Sequence, residues 1–221
     1  MSLGKTSGKY LYVALLLALA YFAVLMLEIT LRYFPFSPEA AFLQIKQTEV
    51  TQIGYYLPIF YIHVCSAMFC LPAGFTQFNR AILKQRKKLH RVLGFIYIVS
   101  VLFFAAPSGF VIGLHANGGW VAKLFFTTLA ILWFIFTLKA WIAVKNKAYE
   151  EHRQLMMRSY ALALSAITLR LWKVILVKLF HPAPMDVYMI ISGLGWVPNL
   201  LWVEYLLLRR KAKQNVHLAG S

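Results

Sequence analysis

The sequence predicts an all-α fold: a polytopic bundle of six transmembrane helices with both termini in the cytoplasm. Three observations predict it. Hydrophobic residues make up 61% of the chain and charged residues 14%, whereas a soluble domain carries about 25% charged residues. Apolar segments of about 20 residues recur from end to end, each long enough to cross a hydrocarbon core of about 30 Å. Finally, the basic residues collect in alternate loops. Residues 1–221 read as a single integral membrane domain.

The first span is expected at about 10–31. Lys5 and Lys9 precede it, as in a signal peptide. Its apolar run is longer than a signal core of about 7–15 residues, and no small-x-small cleavage site follows, so it reads as a retained helix. The other spans are expected at about 55–75, 92–113, 121–144, 155–175 and 187–208. Between the first two lies P-F-S-P-E-A-A-F-L-Q-I-K-Q. Ser37 would cap a short interfacial helix at 38–47, with Phe42 and Ile45 on one face. The fourth span is the most lipid-like. In the sixth, Pro198 removes a backbone donor and predicts a kink. Asn199 would satisfy a freed carbonyl or bond another helix.

The formal net charge is +16. Arg80, Lys84, Arg86, Lys87, Lys88 and Arg91 occupy one loop, Lys145, Lys147 and Arg153 the next on that side, and Arg209, Arg210, Lys211 and Lys213 the C-terminal tail. Such clustering places these loops in the cytoplasm, facing anionic lipid. No nucleic-acid-binding module is present, so no nucleic-acid partner is expected. Cys65 and Cys70 would point about 140° apart on one helix, too divergent for a disulfide. There is no C-x-x-C and no H-E-x-x-H, and Asp186 and Glu204 have no evident partner in the sequence.

The polar residues within the spans carry the functional reading. In E-E-H-R-Q-L-M-M-R-S-Y-A-L-A-L-S-A-I-T-L-R, residues His152, Met156, Ser159, Ala163, Ala166 and Arg170 form one helical stripe. His152 and Arg170 stand roughly 27 Å apart on it. Arg158 lies on another face. His63, Ala67, Cys70, Gly74 and Gln77 share a stripe on the second span, and His90, Gly94 and Tyr97 share one on the third. His115 follows that span. An inner layer would hold His90, His152, Arg91 and Arg158, and an outer layer His63, His115 and Arg170. Polar groups at such depths usually face a bundle interior or a cavity.

Imidazoles from two helices can clamp a haem iron, and arginines can pair with haem propionates. His63, His90, His115 and His152 are therefore candidate ligands of haem b, with Arg158 and Arg170 as supporting cofactor-binding residues. A quinone is an alternative, because His and Arg hydrogen-bond its carbonyls. Either would make the chain a transmembrane redox protein with a redox partner or small ligand. The layout is similar to the six-helix cytochromes of the b561 type, which draw four ligands from four helices. Here His90 and His115 both lie on or beside the third span, and the fourth has none. Transport of an anion or small molecule through a cavity at His63 and Arg170, and a non-catalytic scaffold, are the other two readings. No catalytic residue and no enzymatic reaction are assigned.

The motifs H-R-V-L-G (His90–Gly94) and E-H-R-Q-L-M-M-R-S-Y-A-L (Glu151–Leu162), with Arg170 beyond, resemble a family of predicted bacterial membrane proteins, domain of unknown function 2306. The resemblance runs from the second span through most of the sixth. It implies a multi-pass protein of the bacterial cytoplasmic membrane in which these His and Arg positions matter, and it implies no established reaction.

Overall fold

The computed structural model describes residues 3–78 and 80–219. Asn79 and the side chains of Lys5, Lys9, Gly74 and Arg80 lie outside the described residues. The described residues are helical, with no strand among them.

The helices are α1 (Leu3–Leu31), α2 (Gln47–Gln52), α3 (Tyr56–Ala67), α4 (Cys70–Gln77), α5 (Arg80–Gln85), α6 (Lys87–Val99), α7 (Ala106–Leu114), α8 (Gly119–Lys145), α9 (Tyr149–Ala163), α10 (Ser165–Phe180), α11 (Pro184–Leu194) and α12 (Val197–Ala219). A 3₁₀ turn, Ala41–Lys46, precedes α2, and a π-helical segment, Ser100–Ala105, joins α6 to α7. Among the described residues, four rods are long and apolar enough to cross a membrane: Lys87–Leu114, Gly119–Lys145, Tyr149–Phe180 and Pro184–Gln214. Leu16–Leu31 and Tyr56–Pro72 are shorter apolar helices. The rods outrun the expected spans because helicity continues through their polar ends, as at Glu150 and Arg153, which pair one turn apart.

The prolines explain the interruptions. Pro58, Pro72, Pro107, Pro184 and Pro198 all fall in the first turn of a helix. A first-turn residue needs no N–H for the helix, so proline fits there and nowhere deeper. The expected kink at Pro198 is thus a break at Gly195–Trp196, after which α12 begins. A second break, at Leu164, divides α9 from α10. At the other end His181 adopts a left-handed conformation and Pro182 follows, which stops α10.

The main core lies among α4, α6–α7, α8 and α9, with Tyr97, Val101, Ala105, Ala140, Leu162 and Trp196 buried in it. The small residues Thr137, Ala140, Ser159 and Ala163 let α8 and α9 pack closely. Helix α1 rests on α4, and its Leu17, Tyr21, Val24 and Leu31 side chains are exposed, as lipid-facing residues would be. Gly118 turns the chain between α7 and α8 at φ +94°, and a Cβ there would lie 2.7 Å from the Met189 nitrogen.

A second aromatic core caps the end opposite the basic loops. Tyr33, Leu43, Tyr56, Phe60 and Tyr61 are buried there. Tyr61 Oη donates to the Ser37 carbonyl and accepts from the Ser37 N–H, both at 2.9 Å. The expected helix at 38–47 is instead the 3₁₀ turn followed by α2. Three residues per turn place Leu43 and Lys46 on one face. That face is the buried one, in place of Phe42 and Ile45, and Ile45 is exposed.

Candidate functional site

At the basic end, α6 presents His90 and the first turns of α9 present His152. The His152 Nδ1 lies 2.8 Å from the Ala140 carbonyl of α8. A carbonyl only accepts, so this nitrogen carries the proton and Nε2 keeps its lone pair. His90 Nδ1 is buried, and the backbone acceptor beside the ring is that of Thr76, outside ideal hydrogen-bond geometry. The polar neighbours of the His90 ring are the Thr76 backbone, Arg91 and His152, and the two imidazoles lie within electrostatic range of each other. Gln77 folds over this site: its Nε2 donates to the His90 carbonyl at 3.0 Å. Gly94 makes room for it, since a Cβ there would stand 2.9 Å from Gln77 Oε1. The structure therefore brings together His90 and His152 of the expected inner layer.

Two turns deeper, the space beside Ser159 is filled. Trp133 Nε1 donates to Tyr97 Oη at 3.1 Å, Tyr97 Oη and Ser159 Oγ are 2.7 Å apart, and so are Ser159 Oγ and Thr137 Oγ1. Thr137 Oγ1 then donates to the Trp133 carbonyl at 2.7 Å. The indole can only donate and the carbonyl only accept, so the hydroxyls run in one direction: Tyr97 to Ser159 to Thr137. The circuit begins and ends on Trp133, entirely within the core. Of these residues, Thr137 and Trp133 escaped the sequence reading, because their helix is apolar throughout; their four-residue spacing was the only signal.

Toward the opposite end, His63 packs against the π segment. Its Nδ1 lies 3.0 Å from the Ala105 carbonyl and 3.3 Å from Ser108 Oγ. A Cβ at Gly109 would come within 3.0 Å of the His63 ring. Arg170 lies within electrostatic range of His63 and of Tyr33. His115 does not join His63. It caps α7, and its ring stands edge-on to Tyr56 at 5.8 Å, at the first turn of α3, roughly 10 Å further along that helix than His63. Its carbonyl accepts from Lys46, a lysine 1% exposed that also donates to Glu49 Oε1 at 2.5 Å. Burial raises the Glu49 carboxyl, but the hydrogen bond and charge of Lys46 outweigh that and hold it below its usual range.

Arg158 faces α12. Its Nε and Nη2 reach Glu204 Oε1 and Oε2 at 2.5 and 2.9 Å, a bidentate pair. Glu204 therefore has the partner that sequence spacing failed to supply, and Arg158 is held away from the His90–His152 site. The breaks at Leu164 and Gly195 are cross-linked. Asn199 Nδ2 donates to Thr168 Oγ1 at 3.0 Å and approaches the Ala161 and Gly195 carbonyls at 3.3 Å. Asn199 thus reaches both a carbonyl one turn back and another helix.

Residues 60–207 match the model of the family DUF2306, described as a predicted membrane protein. Comparison with curated proteins and with solved structures gives no match.

Proposed function

The chain belongs to the DUF2306 family of predicted membrane proteins, and on that premise we propose a redox protein that holds one haem or quinone at its basic end, between His90 and His152. In this reading the chain crosses a bacterial cytoplasmic membrane six times, with the basic end in the cytoplasm. Exposed Arg86, Lys87, Lys88 and Arg209 there face anionic lipid.

One observation carries the reading. Two imidazoles from α6 and α9 lie within electrostatic range of each other, with His152 oriented through Nδ1 and the His90 ring, its Nδ1 buried, beside the Thr76 backbone. A metal-binding imidazole commonly donates its other nitrogen to a carbonyl, which fixes ring and tautomer. His152 is prepared in this way, with Nε2 as the ligating atom. The fit concerns the inner level alone, because Tyr97 and Thr137 close the space beside Ser159. The separation of His115 from His63 favours one group over two. Bound haem would supply one-electron transfer. The second reading, a quinone, is favoured by the His90 Nδ1, which as an N–H would donate to a carbonyl oxygen.

The test is an optical spectrum of detergent-purified protein expressed with ample haem, with solvent extraction for quinone. A Soret band or stoichiometric quinone is expected, lost in His90→Ala and His152→Ala. A wild-type protein with neither would sink the proposal.

A further inference from the structure

A cleft of about 340 Å³ opens between α9 and α12. Met157, Ala161 and Leu164 line one side, and Asn199, Trp202 and Val203 the other. Each set follows helical spacing, so the cleft runs along both helices, for about 10 Å between Met157 and Leu164. Phe78, at the end of α4, also faces it, with its ring 5.2 Å from that of Tyr160. Ala161 stands about 180° around α9 from His152, so this cleft is independent of the site at His90 and His152.

The interior suits hydrocarbon. Tyr160 Oη donates to the Leu71 carbonyl at 2.8 Å, and Asn199 Nδ2 to Thr168 Oγ1 at 3.0 Å, so these donors are engaged. Arg158, beside Met157, is forked onto Glu204. The mouth differs. Arg210 lies beyond Val203 on the same face of α12, toward the basic end. Its Nη1 turns back to within 3.8 Å of Met157 Sδ. A thioether is a weak acceptor, so the guanidinium rests at the cleft with its charge uncompensated. Among the described residues the ion pairs use Lys46, Arg153 and Arg158. Glu150 is in electrostatic range of Arg210, but Arg153 holds it at 2.8 Å. The exposed rings of Trp202 and Tyr205 lie 5.7 Å apart, and Arg209 stands over Tyr205 at 5.4 Å. Trp and Tyr beside arginines mark the level where lipid head groups begin.

We propose that this cleft holds one acyl chain of an anionic phospholipid whose phosphate rests on Arg210. The chain covers the apolar walls, and the phosphate supplies the anion that the mouth lacks. Basic pockets between membrane helices take anionic head groups on the same principle.

The test is native mass spectrometry of the full chain in detergent, titrated with phosphatidylglycerol or phosphatidylcholine. One phosphatidylglycerol should bind at least about fivefold more tightly than phosphatidylcholine. Arg210→Gln should remove that preference, whereas Lys213→Gln, an equal loss of charge on the same helix, should leave it within about twofold. Val203→Trp keeps every charge but fills the cleft, and should weaken phosphatidylglycerol about fivefold. Equal losses in Arg210→Gln and Lys213→Gln would reduce the effect to general basic charge and overturn the site. Unchanged binding in Val203→Trp, or glycerol phosphate binding as tightly as the lipid, would overturn the role of the cleft. Displacement of the lipid by decylubiquinone would assign the cleft to a quinone instead. A wild-type protein that binds both lipids alike would also overturn the proposal, a result that depends on no variant folding.

Discussion

Tyr97 and Ser159 meet hydroxyl to hydroxyl at 2.7 Å in the middle of the bundle, where Ser159 is fully buried. Their contact is one link of the circuit through Thr137 and Trp133, so removing either residue strands a buried donor or acceptor. Ser159→Ala leaves the Tyr97 proton without an acceptor, and Tyr97→Phe leaves the Trp133 indole without one. Each should cost about 1–3 kcal/mol. The double variant should cost less than the sum, since both changes break the same chain. Thermal unfolding in detergent reads this directly, and additive or negligible effects would contradict a single circuit.

The sequence made much of this legible. Four of the apolar stretches, from 87 onward, are rods long enough to cross a membrane, and the small-residue stripe of α9 is the face that packs closely on α8. The inner pair, His90 with His152, follows from helical spacing and the alternation of loops. The misses share a cause: they depend on how neighbouring helices rotate. Arg158 was visibly off the His152 stripe, but only the azimuth of α12 reveals Glu204. Lys46 resembled a loop charge because 3₁₀ geometry, which turns it inward, leaves no periodic mark over six residues. His115 and His63 occupy the same end, but the His115 ring packs on Tyr56 at the first turn of α3, roughly 10 Å along that helix from His63, a spacing set by where α7 ends.

Lys46 and Glu49 make the cap sensitive to acid. The native Glu49 carboxyl is held below its usual range by Lys46, against the opposing effect of burial. A depressed carboxylate contributes stability that is present above its unfolded value, about 4.3, and is lost as pH falls through the lower folded value. Melting temperature should therefore drop between about pH 5 and pH 3. Glu49→Gln should be less stable at neutral pH and show a shallower drop. Identical slopes for the two proteins would rule out this linkage.

Arg158 and Glu204 tie α9 to α12. The pair is partly exposed, 20% and 38%, so its net worth is limited, but either charge left alone at that depth is costly. The Arg158→Ala, Glu204→Ala double variant should destabilise by less than the sum of the two single variants, with a coupling of about 1 kcal/mol or more. Arg158→Lys should recover only part of it, because an ammonium cannot make the bidentate contact. A double-mutant cycle of detergent unfolding measures the coupling, and a value near zero would show the contact to be incidental.

Asn199, rather than the adjacent proline, should control the break in the sixth rod. Pro198 lies in the first turn of α12, where no intrahelical N–H bond is required, so Pro198→Ala should be nearly neutral. Asn199 is different: its amide is shared among Thr168, Ala161 and Gly195. The single Thr168 Oγ1 proton is in turn shared between the Gly195 carbonyl and the Leu164 carbonyl, the latter at 3.1 Å. Asn199→Leu removes the donor while keeping the volume, and interhelical bonds of this kind contribute about 1 kcal/mol in membrane bundles. Hydrogen exchange should rise at both breaks together, around 164–168 and 195–199, while the α8–α9 core stays protected. Faster exchange at 195–199 alone would mean that each break is held by its own helix.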